Sequence, residues 1–470
     1  MYKSSEVGAE PHHDTHASPS ASSHSLSHGL SARQMSMISI AGIIGAGLFV
    51  GSSSAIATAG PAILVSYGLA GLLVLMVMRM LAEMAVANPT SGSFSSYASE
   101  AIGPWAGSAI GWLYWWYWVL IIPVEAIAGA QVLHHWMPAI PSWIFTFAIL
   151  LALTATNFAS VANFGELEYW FALVKVIGII AFIAVCGAAI SGFMPASQAS
   201  GVNNILDHGG FMPTGPGAIL GGMLVTMFSF FGAEIVTVAA GETKNPQKKI
   251  RQATNLVVWR IALFYIISVF CIVALVPWND PQLVEKGSFQ RTLEIIGIPG
   301  AKVLVDIVIL VAVTSCLNAG LYTASRMLYS LAERREAPQW LSRLDGKGVP
   351  KAAVAVSAMA SSLGCIVNYI FPGQVFSFLL ATTGAIAFLV YLVVAISQLR
   401  IRARLEKAGK VPEFKMWFFP YLTWVVILFI VAILLYMLFS EAYRYQTLMT
   451  AIVAAVAVAI GFMRHRKKAV

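Results

Sequence analysis

The chain has 470 residues, of which 58% are hydrophobic and 11% are charged. Soluble domains carry about 25% charged residues, so this composition excludes an ordinary soluble protein and indicates a membrane protein. The net charge of +8 would suit a nucleic-acid binder, but the basic residues are spread over separate loops rather than gathered in one patch with reader aromatics, which excludes that class.

The segment before the first apolar stretch, residues 1–30, is rich in serine, alanine and histidine and lacks the apolar core of a secretory signal. We interpret it as a disordered cytosolic tail, with a weak metal or pH sensor as the alternative. The four cysteines lie in apolar segments without metal-ligand spacing, and no nucleophile–base set stands out. We therefore expect no metal, no cofactor and no enzymatic activity.

Twelve apolar segments follow the tail, each about as long as the 20 residues or so that cross a bilayer. Their approximate bounds are 36–58, 62–87, 104–134, 141–160, 168–191, 216–241, 254–278, 301–332, 351–370, 374–399, 417–439 and 446–463. The sequence thus predicts an all-α polytopic membrane protein with twelve transmembrane helices.

The lysines and arginines predict the orientation. Segments 244–251, 334–351, 400–415 and 464–468 hold 19 of the 29 basic residues, and twelve spans put all four segments on one side. Because basic loops stay in the cytoplasm, we expect both termini to be cytoplasmic.

Three glycines in six residues, Gly42, Gly45 and Gly47, interrupt the first span. Glycine weakens a helix, and backbone groups freed in lipid need protein, water or a ligand as partners. We predict a broken helix here. Since this span runs outward, the amides of Gly45, Ala46 and Gly47 would form the positive N-terminus of its outer half and attract an anion.

The sixth span is interrupted at residues 228–235 (FSFFGAEI) and crosses in the opposite direction. Its first half ends near Phe230 with free carbonyls, which attract a cation. Donors at one break and acceptors at the other suit a small zwitterion, an amino acid. Two independent glycine packing contacts are the alternative, but Glu234 weighs against them because intramembrane carboxylates are costly and commonly functional.

Matched breaks in oppositely directed spans are typical of inverted repeats. We expect a first repeat in residues 31–195, a second in residues 210–400, and peripheral spans in residues 415–465.

Further ionisable groups lie within the spans. Glu125 and Asp306 are each a substrate contact, a proton carrier or a structural acid. Lys175 either snorkels to the cytosol or is a buried amine that cycles its proton. Arg79 and Glu83 are one helical turn apart and predict a structural i,i+4 pair, with closure of the cytosolic side as the alternative.

Several runs fall in order at the spans where amino acid permeases of the amino acid–polyamine–organocation superfamily carry similar motifs. These runs are 45–51 (GAGLFVG), 80–84 (MLAEM), 163–176 (NFGELEYWFALVKV), 228–234 (FSFFGAE), 242–246 (ETKNP) and 322–329 (YTASRMLY). The runs 111–116 (GWLYWW), 122–126 (IPVEA) and 313–318 (VTSCLN) most resemble the bacterial 4-aminobutyrate (GABA) permeases. The resemblance covers nearly everything after residue 31.

The resemblance implies a leucine-transporter-type fold, with ten helices in two inverted repeats and two peripheral helices, in a bacterial inner membrane. It implies that the substrate carboxylate binds the amides between Gly45 and Gly47, and that the amino group binds near the carbonyls of residues 228, 229 and 231. Lys175 matches the lysine that replaces a sodium ion in proton-coupled members, and Glu234 matches an acid tied to proton coupling or gating. The expected substrate-binding residues are Ile44, Gly45, Ala46, Gly47, Glu125, Phe228, Ser229 and Phe231.

One departure from the family pattern concerns Ala46 and Gly47. Related permeases often carry a hydroxyl residue within this glycine run, so here the backbone amides must hold the carboxylate alone.

These observations predict a proton-coupled importer of 4-aminobutyrate or a similar ω-amino acid that works by alternating access. Its expected partners are a zwitterionic substrate, protons and the lipid bilayer, and not a nucleic acid. A proton-coupled permease for an α-amino acid such as proline or an aromatic amino acid is the first alternative, and a nutrient-sensing receptor is the second. The two permease interpretations differ in the distance between carboxylate and ammonium, which the sequence leaves open.

Overall fold

The computed structural model describes the chain in ten stretches and five single residues. The stretches are 44–88, 92–159, 161–194, 202–230, 232–235, 246–298, 300–371, 374–410, 412–441 and 443–466, and the single residues are Arg33, Gln34, Met37, Thr90 and Thr237. The predicted tail 1–30, residues 39–43, Phe231 and residues 238–245 lie outside the described residues.

The described part of the chain folds into α-helices joined by turns. These are α1 (Ser52–Ala59), α2 (Ile63–Ala87), α3 (Ser93–Ala101), α4 (Pro104–Trp136), α5 (Ser142–Ala159), α6 (Val161–Ile190), α7 (Asn204–Asp207), α8 (Gly217–Phe230), α9 (Pro246–Arg260), α10 (Ser268–Leu275), α11 (Gln282–Lys286), α12 (Ser288–Ile296), α13 (Ala301–Glu333), α14 (Lys351–Ile370), α15 (Gln374–Lys407), α16 (Tyr421–Phe439) and α17 (Arg444–Arg466). Turns of π-helix, Gly47–Gly51 and Ile261–Ile267, lead into α1 and α10.

Each of the twelve predicted spans has a helix in the structure. Within the described residues, nine helical stretches are long and apolar enough to cross a bilayer. The first, Gly47–Ala87, holds two predicted spans, because the chain reverses at Gly60, where φ is +61° and Pro61 follows. The shorter apolar helices Gly217–Phe230 and Leu263–Leu275 correspond to the sixth and seventh spans.

The helix bounds differ from the prediction at α6 and α15. The fifth span was predicted from residue 168, but α6 begins at Val161, and α15 continues to Lys407 rather than ending near residue 399. Both extensions carry polar residues. Backbone hydrogen bonds continue where the apolar pattern stops, so hydropathy marks the part of a helix that lies in lipid rather than the whole helix.

Two long helices form the centre of the bundle. α4 and α13 pack against each other more extensively than any other pair, and α5, α6, α14, α15 and α17 surround them. α8 packs on α1 and α2 and also contacts α15. α17 is the least enclosed of these spans, but α6 and α14 are less enclosed than α16, so the peripheral pair stays a prediction. The division into two repeats near residues 195–210 stays a prediction.

A buried ion pair joins α2 to α15. The carboxylate of Glu83 accepts hydrogen bonds from Arg402 Nη1 at 3.0 Å and from Gln398 Nε2 at 3.3 Å. Arg79, the predicted partner of Glu83, attracts it electrostatically, but within the described residues the two form no direct ion pair. The Arg79 guanidinium instead lies over the ring of Trp417, 4.0 Å from its centroid, and donates to the carbonyl of Lys415.

We expect the Arg402→Ala substitution to lower the thermal unfolding temperature of the purified protein in detergent. It leaves the buried Glu83 carboxylate without its ion-pair partner, a change that typically costs about 3–5 kcal/mol. The matched control is Arg251→Ala, whose partner Glu413 is exposed and whose loss costs about 0–1 kcal/mol. Equal losses in the two variants would contradict a structural role for the Glu83–Arg402 pair.

Candidate functional site

The two predicted breaks touch each other in the middle of the bundle. A Cβ atom placed on Gly47 would lie 2.7 Å from the Ser229 Cα atom and 2.8 Å from Phe228 Cδ1. Real Cβ atoms do not approach a backbone so closely, so the π turn that begins at Gly47 lies directly against the end of α8 because Gly47 has no side chain. Residues 182 positions apart in the sequence thereby form one site.

Side chains from two other helices bind the backbone groups freed at the first break. The amide of Ala46 donates to Glu125 Oε2 of α4 at 2.9 Å. The carbonyl of Ile44 accepts a hydrogen bond from Lys175 Nζ of α6 at 3.3 Å. One freed donor therefore meets a carboxylate, and one freed acceptor meets an ammonium group.

Glu125 occupies the position that the sequence assigned to the substrate carboxylate. Its side chain is 1% exposed, and its Oε1 atom would lie 2.6 Å from a Cβ atom on Gly45. Cys316 of α13 flanks the same glycine. This close approach shows that a carboxylate can reach the backbone here because Gly45, next to Ala46, has no side chain.

Lys175 belongs to a polar chain that runs from α6 into α13. Its fully buried ammonium donates to Ser315 Oγ at 2.8 Å, and Ser315 in turn donates to Glu168 Oε2 at 2.6 Å. The other oxygen of Glu168 accepts from Asn318 Nδ2 at 2.8 Å, and Asn318 Oδ1 accepts from Asn157 of α5. The Lys175 ammonium and the Glu168 carboxylate are thus linked through the Ser315 hydroxyl in the interior of the bundle.

The sequence analysis did not single out Glu168, Ser315 or Asn318. A signal was present, because Glu168 and Lys175 are seven residues apart and so share one face of a helix. Ser315 and Asn318 are three residues apart, which also places them on one face. Whether these faces of α6 and α13 contact each other depends on how the helices pack, and sequence periodicity does not show how they pack.

The second break is held by Glu234. Its carboxylate folds back and accepts hydrogen bonds from the amide of Gly232, 3.1 Å from each oxygen, and from the Tyr114 hydroxyl of α4 at 3.0 Å. Gly232 has a φ of +108°, a conformation that glycine adopts readily. Glu234 therefore satisfies the backbone at the break and connects this segment to the central helix α4.

Ser229 carries both a backbone acceptor and a buried hydroxyl at the contact between the breaks. Its carbonyl accepts a hydrogen bond from the Tyr265 hydroxyl at 2.9 Å. Its Oγ atom is buried beside the Tyr67 hydroxyl. Phe228 packs beside it against Gly47, whereas Phe231, the third expected residue of this segment, is outside the described residues.

Asp306 does not join this cluster. Its carboxylate lies in a separate cavity of about 410 Å³ that is also lined by Phe49, His135, Gln290 and Lys302. Of the residues expected from the sequence, the structure therefore brings together the first break, the second break, Glu125, Lys175 and Glu234, and it leaves Asp306 apart.

Comparison with known proteins shows which transporters the chain is similar to. The family model described as amino acid permease matches residues 34–467. A probable GABA permease of Pseudomonas aeruginosa is 54% identical over 451 residues, which cover 96% of this chain and 95% of the relative. The gamma-aminobutyric acid permease of Escherichia coli is 55% identical over 435 residues, which cover 93% of each chain.

A solved structure shows the same fold at low identity. The crystal structure of a mutant of the Eremococcus coleocola manganese transporter superposes with a TM-score of 0.58, at 13% identity, over 92% of this chain and 93% of that one. Together with the helix count, this confirms the predicted fold class, an all-α membrane protein with twelve spans of the leucine-transporter type.

We expect Gly47→Ala to destabilise the protein, because its new methyl group must push the π turn away from the Ser229 backbone. Overpacking of this kind typically costs about 1–3 kcal/mol, and thermal unfolding in detergent measures it. Gly187→Ala is the matched control, since a Cβ atom there meets nothing within 4 Å. If the two variants melt alike, the two breaks are not in contact.

Proposed function

This chain belongs to the amino acid permease family, and from that premise we propose that it imports 4-aminobutyrate together with protons. Membership makes it a membrane transporter of amino acids rather than an enzyme. The choice of substrate is supported by the two relatives above 50% identity, both of which are named for GABA transport.

The contact between the two breaks is the observation that carries the proposal. It sets the backbone at Gly47 of one span directly against the backbone at Ser229 of another, among buried residues. A zwitterion is bound by both kinds of group, its carboxylate by amides at a helix N-terminus and its ammonium by carbonyls. A neutral solute or a single ion would leave one of the two sets unpaired, which is costly at this depth.

In this proposal the substrate carboxylate binds the amides of Gly45, Ala46 and Gly47, where Glu125 now accepts from Ala46. The ammonium binds the carbonyls of Phe228 and Ser229. The Tyr265 hydroxyl uses one lone pair of the Ser229 carbonyl, and a carbonyl oxygen has two. Glu125 and the substrate carboxylate compete for one amide, so substrate binding releases Glu125 from the break.

Lys175 is the proposed proton carrier. As an ammonium it holds the Ile44 carbonyl at the first break and Ser315 on α13. Loss of its proton removes the charge that strengthens both bonds and so loosens the break from α6 and α13. Protonation of Glu234 would act in the same way at the second break, because its carboxylate accepts hydrogen bonds from the Gly232 amide and the Tyr114 hydroxyl.

We place the protein in the inner membrane of a bacterium with both termini in the cytoplasm. Support comes from the bacterial source of the relatives and from the basic segments that share one side of a twelve-span topology. The loop that carries α11 and α12 then lies on the outer face, as does the short loop between α16 and α17.

Purified protein in liposomes is expected to accumulate labelled 4-aminobutyrate when an inward proton gradient is applied. A protonophore should abolish accumulation, and removal of sodium should not change it. Competition by a panel of α- and ω-amino acids measures the preferred separation of carboxylate and ammonium. Sodium-dependent uptake that survives the protonophore would refute proton coupling, and preferential inhibition by proline or aromatic amino acids would refute the substrate assignment.

We expect Lys175→Ala to exchange internal for external 4-aminobutyrate while no longer concentrating it against a gradient, because the proposed proton carrier is gone. Counterflow and gradient-driven uptake, measured in the same liposomes, separate the two activities. Lys351→Ala is the control, since this lysine pairs with Asp345 away from the site.

A second variant guards against misfolding, since Lys175→Ala leaves Glu168 buried without its cation. Lys175→Ala combined with Glu168→Gln removes both charges and keeps the interior neutral. Gradient-driven accumulation at the wild-type level in either variant would show that Lys175 does not carry the proton.

A further inference from the structure

α17 is the span with the most surface open to lipid. Only 17% of its apolar window is buried inside the protein, the smallest share among the spans of the described part of the chain. Where α17 does pack, it lies mainly against α4. The ring of Trp105, at the start of α4, stacks on Phe462 near the end of α17, with 4.3 Å between the ring centroids. The two helices therefore meet on the side of the membrane where α17 ends, the cytosolic side in the proposed topology.

A groove of about 330 Å³ lies between the two helices, further into the membrane than this contact. We call it the α4–α17 groove. Its α4 wall carries tryptophans three and four residues apart, and its α17 wall repeats the same helical spacing, so each wall is one face of its helix. The lining residues on which the argument depends are Trp112, Trp115, Trp116, Val456, Ala457 and Arg464.

The aromatic run of α4 divides between the core of the bundle and this groove. Tyr114 and Trp118 are fully buried in the core. Trp112 and Trp115 are partly exposed and meet edge to face, with 5.5 Å between their ring centroids. Trp115 Nε1 also donates to Ser357 Oγ at 3.0 Å. These contacts fix the orientation of the aromatic wall of the groove.

The open side of the groove faces the hydrocarbon of the bilayer. Val456 and Ile460, which line it, are 53% and 39% exposed. No water is available at this depth, and an unfilled groove would forfeit the dispersion contacts of its lining atoms. A lipid chain is therefore the natural occupant of the apolar part of the groove.

Arg464 lies at the end of the groove nearest the C-terminus. Its Nη1 group donates to the carbonyl of Glu336, in the loop that follows α13. A guanidinium group has five N–H donors, and within the described stretches Arg464 forms no ion pair with a carboxylate. In the sequence it is followed by residues 465–468 (HRKK), so positive charge gathers at this end of the groove.

We propose that the α4–α17 groove binds one anionic phospholipid of the leaflet on the side of the C-terminus. An acyl chain lies along the tryptophan wall, and the Arg464 guanidinium donates hydrogen bonds to the phosphate. Guanidinium groups bind phosphate through two parallel hydrogen bonds. Basic pockets between spans on the cytosolic side favour anionic headgroups, and tryptophan favours the membrane interface. This lipid site is independent of the proposed transport function.

Native mass spectrometry of the delipidated protein in detergent, titrated with phosphatidylglycerol, tests the proposal. The wild type should bind one phosphatidylglycerol molecule more tightly than any further one, and more tightly than phosphatidylcholine, which has the same phosphate but no net charge. Arg464→Gln should weaken that first binding step about tenfold, because it removes a charged hydrogen bond to the phosphate. Glutamine keeps a donor for the Glu336 carbonyl.

The matched control is Arg444→Gln. Arg444 lies at the opposite end of α17 and also donates to backbone carbonyls, those of Leu438 and Phe439. Its substitution removes the same charge on the other side of the membrane, so the affinity for phosphatidylglycerol should not change.

A phosphatidylglycerol with brominated acyl chains locates the chain, because bromine quenches tryptophan fluorescence on contact. Wild-type fluorescence should show a component of quenching that saturates near one lipid per protein. The double variant Trp112→Phe and Trp116→Phe should lose that component. Trp424→Phe is the control, since Trp424 is 50% exposed on α16 and does not line the groove, and it should retain the component.

Three results would overturn the proposal. The first is an equal affinity for phosphatidylglycerol in the wild type and Arg464→Gln. The second is saturable quenching that persists without Trp112 and Trp116, and this measurement decides the question if Arg464→Gln fails to fold. The third is a dimer mass in the same spectra that Val456→Trp abolishes, which would show that a second copy of the chain covers the groove.

Discussion

Backbone amide and carbonyl groups inside a bilayer have no water to bind, so a helix that breaks there depends on its neighbours for partners. Both breaks in this protein meet that requirement with side chains that carry or can carry charge. Glu125 and Lys175 hold the first break, and Glu234 holds the second. The positions of α4 and α6 around the broken segments follow from this need, because each contributes one of the partners.

The choice of ionisable partners has a physical consequence. A hydrogen bond to a charged group is roughly twice as strong as one between neutral groups, so gain or loss of one proton changes how firmly a break is held. A neutral asparagine or serine in these positions would satisfy the same backbone groups without any dependence on protons. In the proposed mechanism, the arrangement links proton binding directly to the geometry of the proposed substrate site, and it needs no separate relay.

α4 and α13 also carry residues of a second polar region, the cavity lined by Asp306. Glu125 and His135 lie on α4, and Ser315 and Asp306 lie on α13. The helix pair that packs most extensively therefore carries residues of both the central site and the separate cavity that Asp306 lines. A close-packed pair is stiff and keeps the two regions at a constant separation. The π turn that contains Phe49 lies between them and belongs to the segment without a regular helix.

The sequence by itself determined the membrane class, the twelve spans, the two breaks and the residue types at the central site. The length of an apolar segment, the placement of charges and the spacing of glycines are local properties of the sequence. They are unusually informative in a bilayer because backbone N–H and C=O groups there need hydrogen-bond partners within the protein. Motif resemblance added the substrate class. Even so, adjacency on one helix did not reveal the direct partner of Glu83. Arg79 only attracts it electrostatically, whereas Arg402 of α15 forms the ion pair.

Only the tertiary structure decided which side chain meets which backbone group. Nothing in the spacing of residues shows that Glu125 reaches Ala46, that Glu168 shares Ser315 with Lys175, or that Asp306 faces a cavity with neutral partners. These contacts join helices far apart in sequence, and they depend on how each helix is rotated and how deeply it sits. Rotation and depth come from packing the whole bundle, and no single segment encodes them.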